Sequence, residues 1–139
     1  MTDTKFPMPD GFESHFRHSP LTDPWEPLYS RQQGDMFSLG LRVDTPHCNA
    51  RGLLHGGVIS ALADNALGLC CVLQMEGVSA LTVNLSVDFL AVGQKGQWLE
   101  VRAKPSKLGR TLSFSEAHIY ADDSIIARAS ATFRIIGLS

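Results

Sequence analysis

Only three of the 139 residues are cysteines, Cys48 and the adjacent pair Cys70 and Cys71, and none stands in a CxxC or Cys/His spacing. That excludes a disulfide framework and a structural zinc site, and it reads as free thiols in a reducing compartment. Charge is also sparse. Charged residues make up 19% of the chain, and 12 Lys+Arg against 14 Asp+Glu leave a formal net charge of -2. Without a basic excess there is no field to hold a phosphate backbone or an anionic lipid surface, so neither nucleic acid nor a membrane is expected as a partner. The longest apolar run, residues 58–73, is shorter than the roughly 20 residues of a bilayer span, and Asp64 and Asn65 interrupt it. The first ten residues show neither the basic nor the apolar region of a signal peptide, which makes the cytoplasm the expected location.

What is present suits one globular domain, since a chain of this length with 44% hydrophobic residues can close a core without covalent staples. Residues 1–33 hold five of the seven prolines and scattered aromatics, and read as an N-terminal arm of turns with one short helix. Residues 34–139 are regular and form the expected domain. Phe37, Leu39, Leu41 and Val43 alternate with polar or small residues, the period of a strand with one buried face. Residues 44–55 form a loop, and residues 56–74 a helix so apolar all round that it must be wrapped on nearly every side. Beyond it, Leu81, Val83, Leu85, Val87 and Phe89 share one parity of a long strand. Gly93 to Gly96 make a turn, and Leu99, Val101 and Ala103 start a strand ended by Pro105. The parity change between Leu112/Phe114 and Ala117/Ile119 predicts a bulge near Ser115 and Glu116. Ala127 to Ile135 alternate in a last strand whose small face leaves room for a thick element. These features predict an α+β fold, with four successive hairpin-linked strands curving around one central helix.

The chemical interest lies in Asn49-Ala-Arg-Gly-Leu-Leu-His55-Gly56-Gly57 and in Asp64. A helix start has backbone N–H groups without intrahelical partners, and its dipole favours negative charge. With no side chains in the way, the Gly56 and Gly57 amides can polarise a carbonyl and hold an oxyanion, although Gly-Gly at such a junction also serves close packing. Asp64 interrupts an apolar helix, where an acid must find a partner, and it can serve as general base, nucleophile or a satisfied structural acid. Eight residues separate it from Gly56, about 12 Å along a helix. The two groups reach one carbonyl only from two chains, so this chemistry requires a dimer. Asn49 and His55 flank the junction as candidates for binding water or the substrate carbonyl, or as loop-locking residues. Thr82 could hold a water or simply face solvent. His15 and His18 carry no metal signature, and no metal is expected.

Asn49-x-x-Gly52-x-x-His55-Gly56-Gly57, with Leu62-Ala63-Asp64 seven residues after the second glycine, resembles the hotdog-fold acyl-CoA thioesterases of the phenylacetate-degradation (PaaI-like) type. The runs from Lys107 to Leu112 and from Ala127 to Arg134 are similar to the same family. The resemblance implies a hotdog fold assembled into dimers and usually homotetramers. It implies hydrolysis of acyl-CoA, with Gly56 polarising the thioester carbonyl and Asp64 of the partner subunit activating water or attacking directly. Asn49, His55 and Thr82 match assisting positions. Gly57, Lys107, Gly109, Arg110 and Thr111 would meet coenzyme A, with Lys107 and Arg110 suited to its phosphates. No cofactor is implied, coenzyme A being part of the substrate. A hotdog hydratase or dehydratase, and a non-catalytic acyl-CoA binder, are the alternatives.

Overall fold

The computed structural model describes residues 5–137. One α-helix, α1 (Gly56–Val72), packs on a seven-stranded antiparallel sheet built from β1 (Glu13–Ser14), β2 (Tyr29–Gln33), β3 (Met36–Arg42), β4 (Val78–Phe89), β5 (Trp98–Lys107), β6 (Leu112–Ala121) and β7 (Ser124–Gly137). Strand order across the sheet is β1-β2-β3-β5-β6-β7-β4. This is the α+β architecture expected from the sequence. The helix buries Val58, Ile59, Leu62, Ala63, Ala66, Leu67 and both adjacent cysteines against the sheet. Along β7 the inward Ala127, Ala129 and Ala131 leave the space it fills. Among the described residues no helix is long and apolar enough to cross a membrane.

The arm is more ordered than a run of turns. Among its described residues the one helical piece is the short 3-10 turn Asp23–Trp25, and its β1 and β2 extend the sheet beyond β3. The arm also covers the outer face of the sheet. There Phe12 packs edge-on to Trp98, and Gly40 leaves the room that the Trp98 ring occupies. Beneath it lies Glu100, 1% exposed, which accepts from Trp98 Nε1 at 2.9 Å and from Arg102 Nε at 2.6 Å, with Arg31 at 3.6 Å. An ionised group buried this deeply must be paired, and the arm's Arg31 is one of the partners.

Five expectations are corrected. The helix stops at Val72, with Leu73 as its C-cap, rather than at Gln74. β4 and β5 do not form a hairpin: β4 pairs with β7 at the sheet edge, and β5 inserts between β3 and β6. Alternation marks the buried face of a strand but not its neighbour, and the connection between β4 and β5 is long enough for the crossing. No bulge falls at Ser115 and Glu116. The inward parity runs unbroken through Ser113, Ser115, Ala117 and Ile119, because Ser115 satisfies its hydroxyl by donating to Leu67 O at 3.0 Å and Ser113 bonds to Gly109. Register shifts fall instead between Pro105 and Lys107 and between Ile119 and Tyr120. Pro105 thus lies inside β5 rather than at its end, beside an irregularity where its missing N–H is tolerated.

The fifth correction bears on function. β4 shifts register between Thr82 and Asn84, so Val83 is an extra residue. The bulge switches parity: Val78, Ala80, Leu85 and Val87 pack on the core, while Leu81 and Val83 are exposed. A continuous alternation would put Thr82 on the opposite face from the helix. The bulge turns it towards the helix.

Candidate active site

Two local structures carry the candidate chemistry. The first is the junction into α1. Here His55 is the N-cap, and its Nδ1 accepts from Gly57 N at 2.7 Å. A ring nitrogen that accepts a backbone N–H has no proton, so the imidazole carries its hydrogen on Nε2, at the exposed edge. Gly57 is a glycine for a packing reason, since a Cβ there would lie 2.9 Å from the His55 ring. The expectation that both glycine amides face a ligand is therefore corrected: Gly57 N is occupied by the cap. Gly56 N has no acceptor among the described residues, and it remains as an open donor at the positive end of the helix.

The loop before this junction is held from several sides. Asn49 Oδ1 accepts from Arg51 N at 2.9 Å and Leu53 N at 3.1 Å, so in this chain it braces the turn, with its amide nitrogen left over. Buried His47, which carries no signal in the sequence, is the loop's anchor. Its Nδ1 accepts from Asp44 N at 2.9 Å, its Nε2 donates to Trp25 O at 3.0 Å, and its carbonyl accepts His55 N at 2.9 Å. The arm, the loop and the helix start are thereby tied together.

The second structure surrounds Asp64. This residue is half-buried, and its Oδ1 accepts from the Thr82 hydroxyl at 2.7 Å, which leaves Oδ2 without a protein partner among the described residues. Both side chains line a cavity of about 280 Å³ between α1, the start of β4 and the arm. Gly68, Leu69, Val72, Val78 and Phe133 give it an apolar wall. Gly68 stands close to the Phe133 ring, which a Cβ would approach to 3.3 Å. The arm supplies His15 and Arg17, which the sequence did not single out for this role. Of the predicted residues, then, Thr82 alone joins Asp64 within one chain. Asn49, His55, Gly56 and Gly57 do not line the cavity, and neither do Lys107, Gly109, Arg110 and Thr111.

Of those last four, Lys107 ends β5, and Gly109, Arg110 and Thr111 belong to the connection to β6. Lys107, Arg110 and Thr111 are exposed, while Gly109 is half-buried, its amide bonded to Ser113 Oγ at 3.0 Å. A Cβ on Gly109 would collide with the Leu112 carbonyl, which explains that glycine by packing. Among the described residues, His18, Asp23 and Glu26 form the one group whose potential ligand atoms all lie within 4.8 Å of one another. It sits on the arm, where His18 Nδ1 already bonds to Glu26 Oε2 at 3.2 Å. Cys48, Cys70 and Cys71 are free thiols.

The sequence profile of the thioesterase superfamily matches residues 51–127, which include the helix junction, Asp64 and Thr82. The chain belongs to the thioesterase superfamily. Among superfamily relatives, a Pseudomonas aeruginosa protein named "Putative esterase PA0474" is 38% identical over 130 residues, 92% of this chain and 97% of that protein. The human acyl-coenzyme A thioesterase 13 is 27% identical over 79 residues, 57% of this chain and 56% of that protein. The fold is the hotdog fold of thioesterase structures. The thioesterase HI1161 of Haemophilus influenzae superposes with a TM-score of 0.75 at 24% identity, covering 80% of this chain and 79% of that one. The smu.793 protein of Streptococcus mutans, solved bound to acetyl CoA, gives 0.74 at 23% identity, covering 82% of this chain and 92% of that one.

Proposed function

We propose that this superfamily member is a PaaI-like enzyme that hydrolyses acyl-CoA thioesters to the free acid and coenzyme A, with each site built from two subunits of a homodimer. The observation that carries the reading is the Asp64 carboxylate at the cavity wall, one oxygen held by Thr82 at 2.7 Å and the other open. Oδ2 takes a proton from water as the water oxygen bonds to the thioester carbon, or Oδ2 itself forms that bond. The C–S bond then breaks, and the CoA sulfur leaves as a thiolate that takes up a proton; where Oδ2 is the attacking atom, water next cleaves the resulting acyl–Asp64 anhydride, which releases the acid and restores the carboxylate. Negative charge grows on the carbonyl oxygen before the break, and the open Gly56 N–H at the helix start is the donor suited to it.

Gly56 and Asp64 lie about 12 Å apart along one helix, so the Gly56 of one subunit works with Asp64 of the partner subunit. The exposed Nε2–H of His55 is placed to bind the substrate beside Gly56, and the free amide nitrogen of Asn49 is available to orient the attacking carboxylate or water across the interface. Lys107 and Arg110, both exposed, would pair with CoA phosphates, with Gly109, Thr111 and Gly57 shaping the approach. The relative solved with acetyl CoA and the relative named as an acyl-CoA thioesterase support this substrate class. A homotetramer, a cytoplasmic location and a boundary between arm and domain at residues 33 and 34 complete the reading.

Thiol release from acetyl-, medium-chain, long-chain, phenylacetyl- and hydroxybenzoyl-CoA, measured on wild type and Asp64→Ala side by side, tests it. Release that depends on Asp64 is the expected result. Release unaffected by Asp64→Ala refutes the role of Asp64, and silence across the panel with CoA esters still bound would make the protein an acyl-CoA binder.

A further inference from the structure

The arm's contribution to the Asp64 cavity is chemically specific. His15 is 4% exposed and bonds through Nδ1 to Ser30 Oγ at 3.0 Å. Its Nε2 has no protein partner among the described residues, although the ring lines the cavity. The Ser30 hydroxyl can donate to or accept from Nδ1, so a carboxylate placed at Nε2 selects the tautomer with its proton on Nε2, Ser30 then donating to Nδ1. Arg17, two residues on, lines the same cavity and has no carboxylate partner among the described residues, unlike Arg31, Arg102 and Arg128. The nearby acid, Glu26, is already used, its Oε1 by Leu28 N at 2.7 Å and its Oε2 by His18 at 3.2 Å.

The carboxylate that does the chemistry and the arm's basic pair line one cavity, together with the apolar wall of Gly68, Leu69 and Val72. At about 280 Å³ the cavity lies just below the roughly 300–1,000 Å³ typical of small-molecule sites, which suits a short acyl group.

Resting on the thioesterase reading, we infer that the cavity selects short acyl groups bearing a carboxylate at the end remote from the thioester, the mono-CoA esters of dicarboxylic acids. Arg17 pairs with that carboxylate through its planar fork, His15 Nε2–H donates to it, and the methylenes lie on the apolar wall. An uncharged acyl chain of the same length leaves both donors unmatched. Hydrolysis then yields a dicarboxylic acid and coenzyme A by the bond changes already described.

The test compares adipyl-CoA with hexanoyl-CoA, equal in carbon number, on wild type, Arg17→Gln and Arg17→Lys. Arg17 is exposed, so the variants should fold. The expected result is a wild-type kcat/KM at least tenfold higher for adipyl-CoA, with that ratio falling at least tenfold in Arg17→Gln and partly restored in Arg17→Lys. Raising the salt concentration should also lower the ratio, because Arg17 is exposed. A wild-type ratio of one or less, or an equal loss on both esters in Arg17→Gln, overturns the inference; the second outcome would mean that Arg17 touches coenzyme A. If wild type hydrolyses neither ester but does hydrolyse another of the CoA esters above, the inference is overturned; if it hydrolyses none of them, the thioesterase reading fails by itself, and calorimetric binding of the same two esters decides this one. Tighter binding of adipyl-CoA that depends on Arg17 supports it, and equal affinities overturn it.

Discussion

Replacing Gly56 by proline removes one atom pair from the candidate oxyanion site and little else. Gly56 is the first residue of α1, where proline is well tolerated because its missing N–H has no intrahelical role and its fixed φ suits a helix start. The preceding residue is also compatible: His55 has φ -74 and ψ 131, the extended conformation that a following proline requires. The atoms nearest to a Cβ at this position belong to the Phe89 ring, at 3.2 Å, and Phe89, being 54% exposed, can move aside. The N-cap bond from Gly57 N to His55 Nδ1 remains available. Loss of one preorganised donor to a developing oxyanion costs about 2.7–4 kcal/mol, a fall of about 100- to 1,000-fold in kcat. Gly56→Ala, which keeps the N–H and adds a comparable Cβ, is the control and should keep most of the activity. Steady-state thiol release with a thermal melt on each variant makes the comparison. If Gly56→Pro melts like wild type and retains kcat within a few-fold, the Gly56 amide does not polarise the carbonyl.

Other consequences can be checked in the same preparations. Thr82→Val should lower kcat about tenfold, the lower end of the ~1.5–3 kcal/mol of a hydrogen bond to a charged group because Thr82 is exposed, with rescue by Thr82→Ser. Glu100→Ala should destabilise the fold by about 3 kcal/mol, since Trp98 Nε1, Arg31 and Arg102 lose their shared acceptor, although Arg102 can turn to water. Urea unfolding reads that loss, and limited proteolysis should show the arm released. Burial lowers the His15 pKa below its ordinary 6.5, with Glu26 opposing and His18 and Arg17 adding to the shift. The unfolded chain then binds the proton more readily, so stability is full above about pH 6.5 and falls as the pH drops below it. Melting at pH 7.5 and 5.5 should show a smaller acid loss in His15→Asn than in wild type; an equal loss in both would assign the pH dependence to other groups.

The helix, its junction and its acid were readable because each has a one-dimensional signature: an all-round apolar run, two glycines at its start, and one carboxylate inside it. The strands β3 and β7 were equally plain, their inward residues recurring every second position. What escaped was whatever depended on a partner distant in sequence. The parity of β4 looked continuous through Leu81 and Val83, yet pairing with β7 inserts Val83 as a bulge, and that single residue brings Thr82 to Asp64. Ser113 and Ser115 looked like an outward face because their hydroxyls find acceptors only after folding, at Gly109 O and Leu67 O. Glu100 has the outward parity of a solvent-facing residue, and only the arm folded across it makes it buried. The cavity itself was illegible for the same reason. Its walls come from residues 15–22, 64–72, 78–82 and 133, which no local period connects.

The central claim is that one active site takes Gly56 from one subunit and Asp64 from the other, and co-expression of Gly56→Pro with Asp64→Ala tests it most directly. Each variant alone should be inactive. In a mixed dimer one site loses both groups and the other keeps both, so random pairing should restore about a quarter of the wild-type thiol release. Activity in purified mixed dimers no greater than in the two parent variants would contradict the shared site.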